Sequence, residues 1–515
     1  MHTVIFTVFI FLCSCNGYRI LVMNTTPGKS HAILMDGVVR HLSRAGHKIT
    51  YITTLPDSIR HQNVSTVDVS ANNEFVKGYI FILLHIIIDM RNLRFLLNIL
   101  LEVVKSALTN PNVQNLLADA EQQFDAIIAE WMYTELTLEF HFRIAAVYNC
   151  PFIWVSSLDP HWMVLQLIDD LPNPAYYADP ISKNIIPFTF IQRSTELINQ
   201  LYGLLLKNLY FYKQEEKYYR EHVIPYIRTM PPSLDELRYN ASLILSNSHL
   251  AMGTATRLPQ NYKYVGGFHI DTERKELPMN LKKIMDDSSE GVIYFSLGSN
   301  LKSTHLPEKL KVGLLRVFGE LKQTVLWKFE EHLSDLPYNV HIVDWAPQLS
   351  ILAHPNCVLF ITHGGLLSTT EAIHFGVPLI GIPVFADQFI NVDRAVQKGF
   401  AKRVDLSYEM ENDIKEAIHD VLGNAKYRQR VKELSQIYHS RLVPPGVELV
   451  HWVEHVVQTR GAPHLRSPAL HMPLYQKCYL DLLAVVLVLL TAVLYVVRNI
   501  FKLLSNRLIN NKKNN

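Results

Sequence analysis

Three short loop sequences hold groups that could manage a phosphorylated ligand. Thr362-His363-Gly364-Gly365 closes an apolar strand and opens a helix bearing Ser368, Thr369 and Glu371, ended by Gly376. Glycines at such a turn let backbone N–H groups approach a diphosphate, and the helix N-terminus adds roughly half a positive charge there. His363 brings a side-chain donor to the same point, although a His-Gly-Gly turn is as often a plain strand-to-helix connection. Ser296-Leu297-Gly298-Ser299 follows a second strand and Trp345-Ala346-Pro347-Gln348 a third. Strand ends of a parallel sheet share one rim, so the three loops are expected to converge, and a tryptophan on that rim can stack a base. Nearer the N-terminus, His31 lies in the first turn after the first strand, and Glu130 ends another strand on the same kind of rim. Together they offer a general base and a carboxylate for its second ring nitrogen. Singly, His31 reads as a surface or cap residue and Glu130 as the cap of a turn.

Other chemistries fail on spacing. Pro27-Gly28-Lys29-Ser30 looks like the end of a P-loop, but Met23 stands where the earlier glycine is required. No G-x-G-x-x-G follows a strand, and neither H-E-x-x-H nor paired Cys-x-x-Cys occurs. There is also no Asp-x-Asp to share a divalent cation with a sugar nucleotide. Phosphate charge is therefore expected to be managed by protein groups, with no metal site and no resident cofactor.

These loops need a scaffold of strands and helices. Arg19–Met23, Lys48–Thr53, Phe124–Ala129 and Pro151–Ser156 read as strands, and Ser30 can cap a helix with Leu34, Val38 and Leu42 on one face, ended by Gly46. A second series reads Val292–Ser296, Val325–Phe329, Val340–Val343, Val358–Thr362 and Leu379–Ile382, with helical patterns between. Alternation on both sides of a polar stretch predicts an α/β chain of two doubly wound parallel domains facing a cleft. Tyr79 to Ile88, stopped by Asp89 and Arg91, is too short to span a membrane and is expected to be a core or pocket helix.

The chain has 515 residues, 49% hydrophobic and 19% charged, which excludes intrinsic disorder and implies more than one core. Net charge is +2 without a dense basic block in the globular part, so no nucleic-acid partner is expected. Of five cysteines, Cys13, Cys15 and Cys478 fall in or beside the terminal apolar segments, and Cys150 and Cys357 read as buried thiols. Residues 1–17 have the shape of a secretory signal, with His2 in place of the usual basic residue. Residues 478–497 are long and apolar enough to cross ~30 Å of hydrocarbon. Arg498, Lys502, Arg507, Lys512 and Lys513 follow, so the 498–515 tail is expected to be cytosolic. Lys512 and Lys513 resemble the dilysine retrieval signal of endoplasmic-reticulum type I membrane proteins. Acceptor sequons stand at Asn24, Asn63 and Asn240; Asn24 is expected to be buried, and Asn63 or Asn240 to carry glycan.

The stretch from Trp345-Ala346-Pro347-Gln348 through Thr362-His363-Gly364-Gly365 to Asp387-Gln388 closely resembles the signature of the UDP-glycosyltransferases, in particular the membrane-bound animal members. The resemblance implies a GT-B fold: an acceptor domain over 18–265, a linker over 266–290, a UDP-sugar domain over 291–460 and a juxtamembrane segment over 461–477. It implies that Trp345 and Gln348 hold uracil and that His363, helped by Ser299, contacts the diphosphate; Gly365 and Ser368, on the same loop and helix, are further donor-binding candidates. It further implies that Glu371 takes the ribose hydroxyls and that Asp387 and Gln388 hold the sugar. It places the catalytic base on His31 and an aspartate where this chain has Glu130. Many relatives carry Asn where Leu367 stands.

The expected activity is inverting transfer of a hexose from a UDP-sugar to a hydroxyl of a small lipophilic acceptor, with UDP-sugar as co-substrate. The helix N-terminus is expected to keep the His31 ring neutral. UDP-glucose is the expected donor, because the Pro-Arg-Pro segment of glucuronate-using relatives is replaced by Thr256-Arg257-Leu258-Pro259. A homo-oligomer is compatible with this reading. The alternative, motivated by Glu130 and Leu367, is a catalytically weak or silent UDP-sugar-binding membrane protein. An adhesion protein would explain the ends of the chain but not the loops.

Overall fold

The computed structural model describes residues 17–75, 93–131, 144–169, 171–179, 182, 184–222, 224–227, 233, 239–270, 275–298, 306–330, 333–407 and 409–513. The expected signal up to residue 16, the 79–88 helix and Ser299 lie outside them.

Two all-parallel sheets form the scaffold. The first orders its strands β3-β2-β1-β4-β5-β6-β7: β1 Arg19–Asn24, β2 Lys48–Thr53, β3 Val64–Asp68, β4 Ala126–Trp131, β5 Phe152–Ser156, β6 Ala241–Ser246 and β7 Tyr262–Tyr264. The second orders β10-β9-β8-β11-β12-β13: β8 Val292–Ser296, β9 Thr324–Lys328, β10 Val340–Val343, β11 Cys357–Thr362, β12 Leu379–Gly381 and β13 Ala401–Arg403. Central strands such as β4, β5, β6 and β8 are buried at every residue. That is the signature of a parallel sheet covered on both faces, and it explains why β4, β5 and β8 read as apolar runs; β6, whose Ser242 interrupts its apolar residues, was not read from sequence. Each domain buries clusters on both faces of its sheet.

Local corrections concern the ends of elements. Helix α1 (Lys29–Arg44) starts one residue before the expected cap. Gly28, at φ 128, makes the turn there, and no side chain caps the helix, so Ser30 lies inside it. Leu34, Val38 and Leu42 are buried as expected, and Gly46 ends the helix with φ 93. Strand β4 runs two residues further than read, because fully buried Trp131 pairs with Ser156; Glu130 is therefore inside the strand. Among the sequons, Asn24 is fully buried, Asn63 is half-buried and Asn240 is exposed. The thiols of Cys150 and Cys357 are free, and burial pushes both up to about 12.

The chain does not keep to one domain after the second sheet. The helix Pro445–Gln458, read from sequence as part of the UDP-sugar domain, puts Leu449, Val453 and Val456 into the first domain's core beside Val38, Ile128 and Leu243. The stretch read as a linker is divided too. Phe268 belongs to that same first-domain cluster, whereas Leu281 and Met285, on the helix Met279–Asp287, belong to the second domain.

Leu449→Ala should cost about 2–5 kcal/mol, as for a fully buried leucine. By hydrogen exchange the loss should appear at β4 and β6. Deprotection confined to β8 and β11 would contradict the packing.

Candidate active site

Both sheets reverse their strand order between two central neighbours, β1 and β4 in the first and β8 and β11 in the second. Segments leaving those neighbours diverge to opposite faces, so each reversal opens a crevice beyond the strands' C-terminal ends. Among the described residues, His31 and Glu130 fall at the first crevice, and Gly298, His363 and Gly365 at the second.

In the first, His31 Nδ1–H donates to Glu130 Oε1 over 2.6 Å. Glu130 is only 2% exposed, held in the middle of the sheet by its pairing opposite Val155. The longer carboxylate thus reaches the imidazole directly. A carboxylate on Nδ1 fixes the tautomer and leaves the lone pair on Nε2. Burial lowers the affinity of the ring for a proton, but the charge and hydrogen bond of Glu130, with Asp387 adding from the other domain, outweigh it and raise the His31 pKa above the ordinary 6.5. Two carboxylates thus act against the influence expected of the helix N-terminus.

In the second crevice the three loops converge. The carbonyl of Gly298 accepts from Lys328 Nζ at 3.0 Å. A Cβ on Gly298 would lie 2.6 Å from the His363 ring, and its φ of 84 also favours glycine. His363 is pushed down to about 4, first by burial and then by Lys328, so at neutral pH it is an uncharged donor. The helix Leu366–Phe375 begins immediately beyond Gly365 and ends on left-handed Gly376. Trp345 is 51% exposed, and the Lys29 ammonium lies 3.1 Å from its ring centroid. A base stacking on that face must displace Lys29.

Three residues expected on the donor, Gln348, Glu371 and Ser368, are bonded to one another. Gln348 Nε2 donates to Glu371 Oε2 at 2.6 Å and to Ser368 Oγ at 3.2 Å, while its Oε1 accepts from the Tyr294 hydroxyl at 3.3 Å. His269 Nε2 stands 3.3 Å from the other Glu371 oxygen, at ion-pair distance but out of line for a hydrogen bond. Leu367 faces neither group; it packs against the first domain's core.

Asp387 and Gln388 sit where the helix Gln388–Gln397 begins, after Ala386 at φ 52. Asp387 Oδ2 accepts from Asn391 Nδ2 at 2.7 Å, and burial raises its pKa against the pull of Asn391, His31 and Arg394. Gln388 Oε1 accepts from the Val384 and Phe385 N–H groups at 2.9 and 3.1 Å, so its carbonyl end braces the loop. Sequence reading missed Lys29, Lys328, His269 and Arg394. Only Lys29 gave a signal, in the Pro-Gly-Lys-Ser string set aside with the P-loop.

The sequence matches the family model described as "UDP-glucoronosyl and UDP-glucosyl transferase" over residues 18–515. It is 30% identical over 498 residues to "UDP-glucosyltransferase 2" of Dactylopius coccus, covering 96% of this chain and 95% of that one. It is also 30% identical over 380 residues to "UDP-glucuronosyltransferase 2B7" of Homo sapiens, covering 73% and 69%. Among solved structures, the glycotransferase of kitacinnamycin superposes with a TM-score of 0.59 at 16% identity, over 85% of this chain and 99% of that one. The calicheamicin glycosyltransferase CalG4 does so with 0.51 at 18%, over 87% and 100%. These structural likenesses establish the GT-B fold, and the sequence match over nearly the whole chain shows that it belongs to the UDP-glucuronosyl and UDP-glucosyl transferase family, enzymes that move a sugar from a UDP-sugar to an acceptor.

Proposed function

We propose that this enzyme transfers glucose from UDP-glucose to a hydroxyl of a small lipophilic acceptor by one in-line displacement with inversion. The observation that carries the reading is the His31–Glu130 pair at 2.6 Å, with Asp387 of the other domain close enough to act on the same imidazole. A base on one domain and a sugar-holding carboxylate on the other is the arrangement that attack across a cleft needs. His31 Nε2 takes the acceptor proton as the oxygen attacks the anomeric carbon, and Glu130 stabilises the imidazolium that forms. The bond from that carbon to the diphosphate breaks, and UDP leaves with the bonding pair. Its charge is met by Lys328, His363, Ser299 and the N-terminus of the Leu366–Phe375 helix. No metal is invoked in this route.

Glucose is favoured over glucuronate by the cations near Asp387. Arg394, which acts electrostatically on Asp387, is committed to Asp159 at 2.8 Å. Arg257 is exposed, and its carbonyl accepts from the Tyr177 hydroxyl on the first domain. Lys29 stands over Trp345, at the uracil end, and Lys328 is bonded to the Gly298 carbonyl and to Glu330 at the diphosphate loop. A carboxylate on the sugar would want a dedicated cation, which a neutral hexose does not need.

The stretch Leu480–Asn506 of the helix Leu480–Lys513 is long and apolar enough to cross a membrane. In our reading it anchors the enzyme in the endoplasmic-reticulum membrane as a single-pass type I protein with a lumenal body, glycosylated at Asn240 or Asn63.

His31→Ala should lower turnover by roughly 10²–10⁴-fold while UDP still binds; equal rates would remove His31 from the mechanism. The base works only when neutral, so kcat/KM should rise with pH through a midpoint above 6.5. Glu130→Gln removes the largest upward influence on that midpoint and should shift the rising limb to lower pH, with slower turnover; an unmoved limb would dissociate Glu130 from His31. With UDP-glucose and UDP-glucuronate at equal concentration on one phenol, the glucoside should predominate. Predominant glucuronide would overturn the donor assignment and leave the fold unaffected.

A further inference from the structure

The helix Gln388–Gln397 belongs to the second domain, yet its length lies against the first. Its N-terminal end carries Asp387, and Ala386 just before it packs on the first domain's core. One turn along, Ile390 clusters with Ala178 and Phe188 of the first domain. At its far end Gln397 Nε2 donates to the Ile186 carbonyl at 2.8 Å. Between these contacts, Arg394 Nη1 meets Asp159 Oδ2 at 2.8 Å, with side chains only 14% and 9% exposed. The Ser248 hydroxyl donates to the other Asp159 oxygen, and a side chain at Gly253 would collide with this carboxylate. Lys398 and His161 are also within electrostatic reach, His161 being held neutral.

Such a pair is poorly suited to adding stability, because burying two charges costs much of what their attraction returns. It is well suited to fixing geometry, because a bonded, buried carboxylate accepts an arginine from few directions. Asp159 follows β5, the strand next to β4 and Glu130, while Arg394 lies two turns along the helix that Asp387 opens. The pair therefore joins the support of the base to the support of the sugar site.

We propose that the Asp159–Arg394 ion pair is a positioning device, which sets the sugar-holding end of the Gln388–Gln397 helix at its working distance from His31. The inference rests on the reaction proposed above. Neither residue touches the reacting atoms; both act through the placement of Asp387 relative to His31. Breaking the pair lets the helix withdraw from the first domain while the nucleotide crevice, built from β8 and β11 loops, keeps its shape.

The test compares Arg394→Met and Arg394→Lys with the wild type in the full-length, membrane-bound enzyme, reading kcat with UDP-glucose and, separately, equilibrium affinity for UDP. Arg394→Met should lose about 10- to 100-fold in kcat, the scale expected of a misplacement near 1 Å. Its UDP affinity should stay within about threefold, since base and diphosphate contacts are not moved. Arg394→Lys keeps the charge and should recover most of the lost rate. Wild-type turnover in Arg394→Met would overturn the proposal. So would UDP affinity falling in step with kcat, which would make the pair a support for the whole domain, or no recovery in Arg394→Lys. A wild-type enzyme that binds UDP but transfers no sugar to any acceptor would instead refute the underlying reaction.

Discussion

Where neighbouring strands send their chains to opposite sides of a sheet, nothing covers the gap between them. This protein has two such gaps, between β1 and β4 and between β8 and β11, and the candidate site lies at them. The first places an imidazole at the start of α1 against a carboxylate held inside β4. The second places a glycine turn against His363 so closely that no side chain fits between them. A carboxylate as buried as Glu130 is expensive without a partner. His31 supplies that partner, and in return its tautomer is fixed. The constraint of parallel-sheet topology thus becomes a chemical one.

Two half-sites are useful only if they face one another, and much of the remaining structure holds them so. The second domain sends Leu367 into the first domain's core, and the Thr370 hydroxyl meets the Met252 sulfur at 3.1 Å. Tyr438 and Arg441 both donate to the Gly266 carbonyl, at 3.1 and 2.8 Å. The helix Pro445–Gln458 then returns to the first domain, so the chain is stitched across the cleft rather than hinged at a single linker. Leu367, where the resemblance leads one to expect Asn, makes apolar contact between the domains. Glu130, the other departure, reaches its histidine, which removes half the motive for a catalytically silent protein.

The legible parts of the sequence were those governed by local rules. Fully buried parallel strands are apolar runs, so β1, β4, β8 and β11 could be read, and glycines marked the turn that holds His363. Strand β3, VSTVD, has every residue at least partly exposed, and β7 and β13 have three residues each, too few to form a pattern. The apolar face of the Pro445–Gln458 helix told that it was buried, not which domain buried it. Pairings between distant positions, such as Gln348 with Glu371 or Arg394 with Asp159, leave no trace in spacing. For the His31 ring, the Glu130 carboxylate that opposes burial could be proposed from sequence, whereas the smaller contribution of Asp387 arises only once two domains have folded.

The central claim is that a base from one domain drives a single displacement on a sugar held by the other. Its most direct test is the anomeric configuration of the product, read by proton NMR on the first glycoside formed from UDP-glucose, whose sugar is α-linked. One displacement predicts a β-glycoside. An α-glycoside, implying two displacements or front-side departure, would contradict the account of the His31–Glu130 pair.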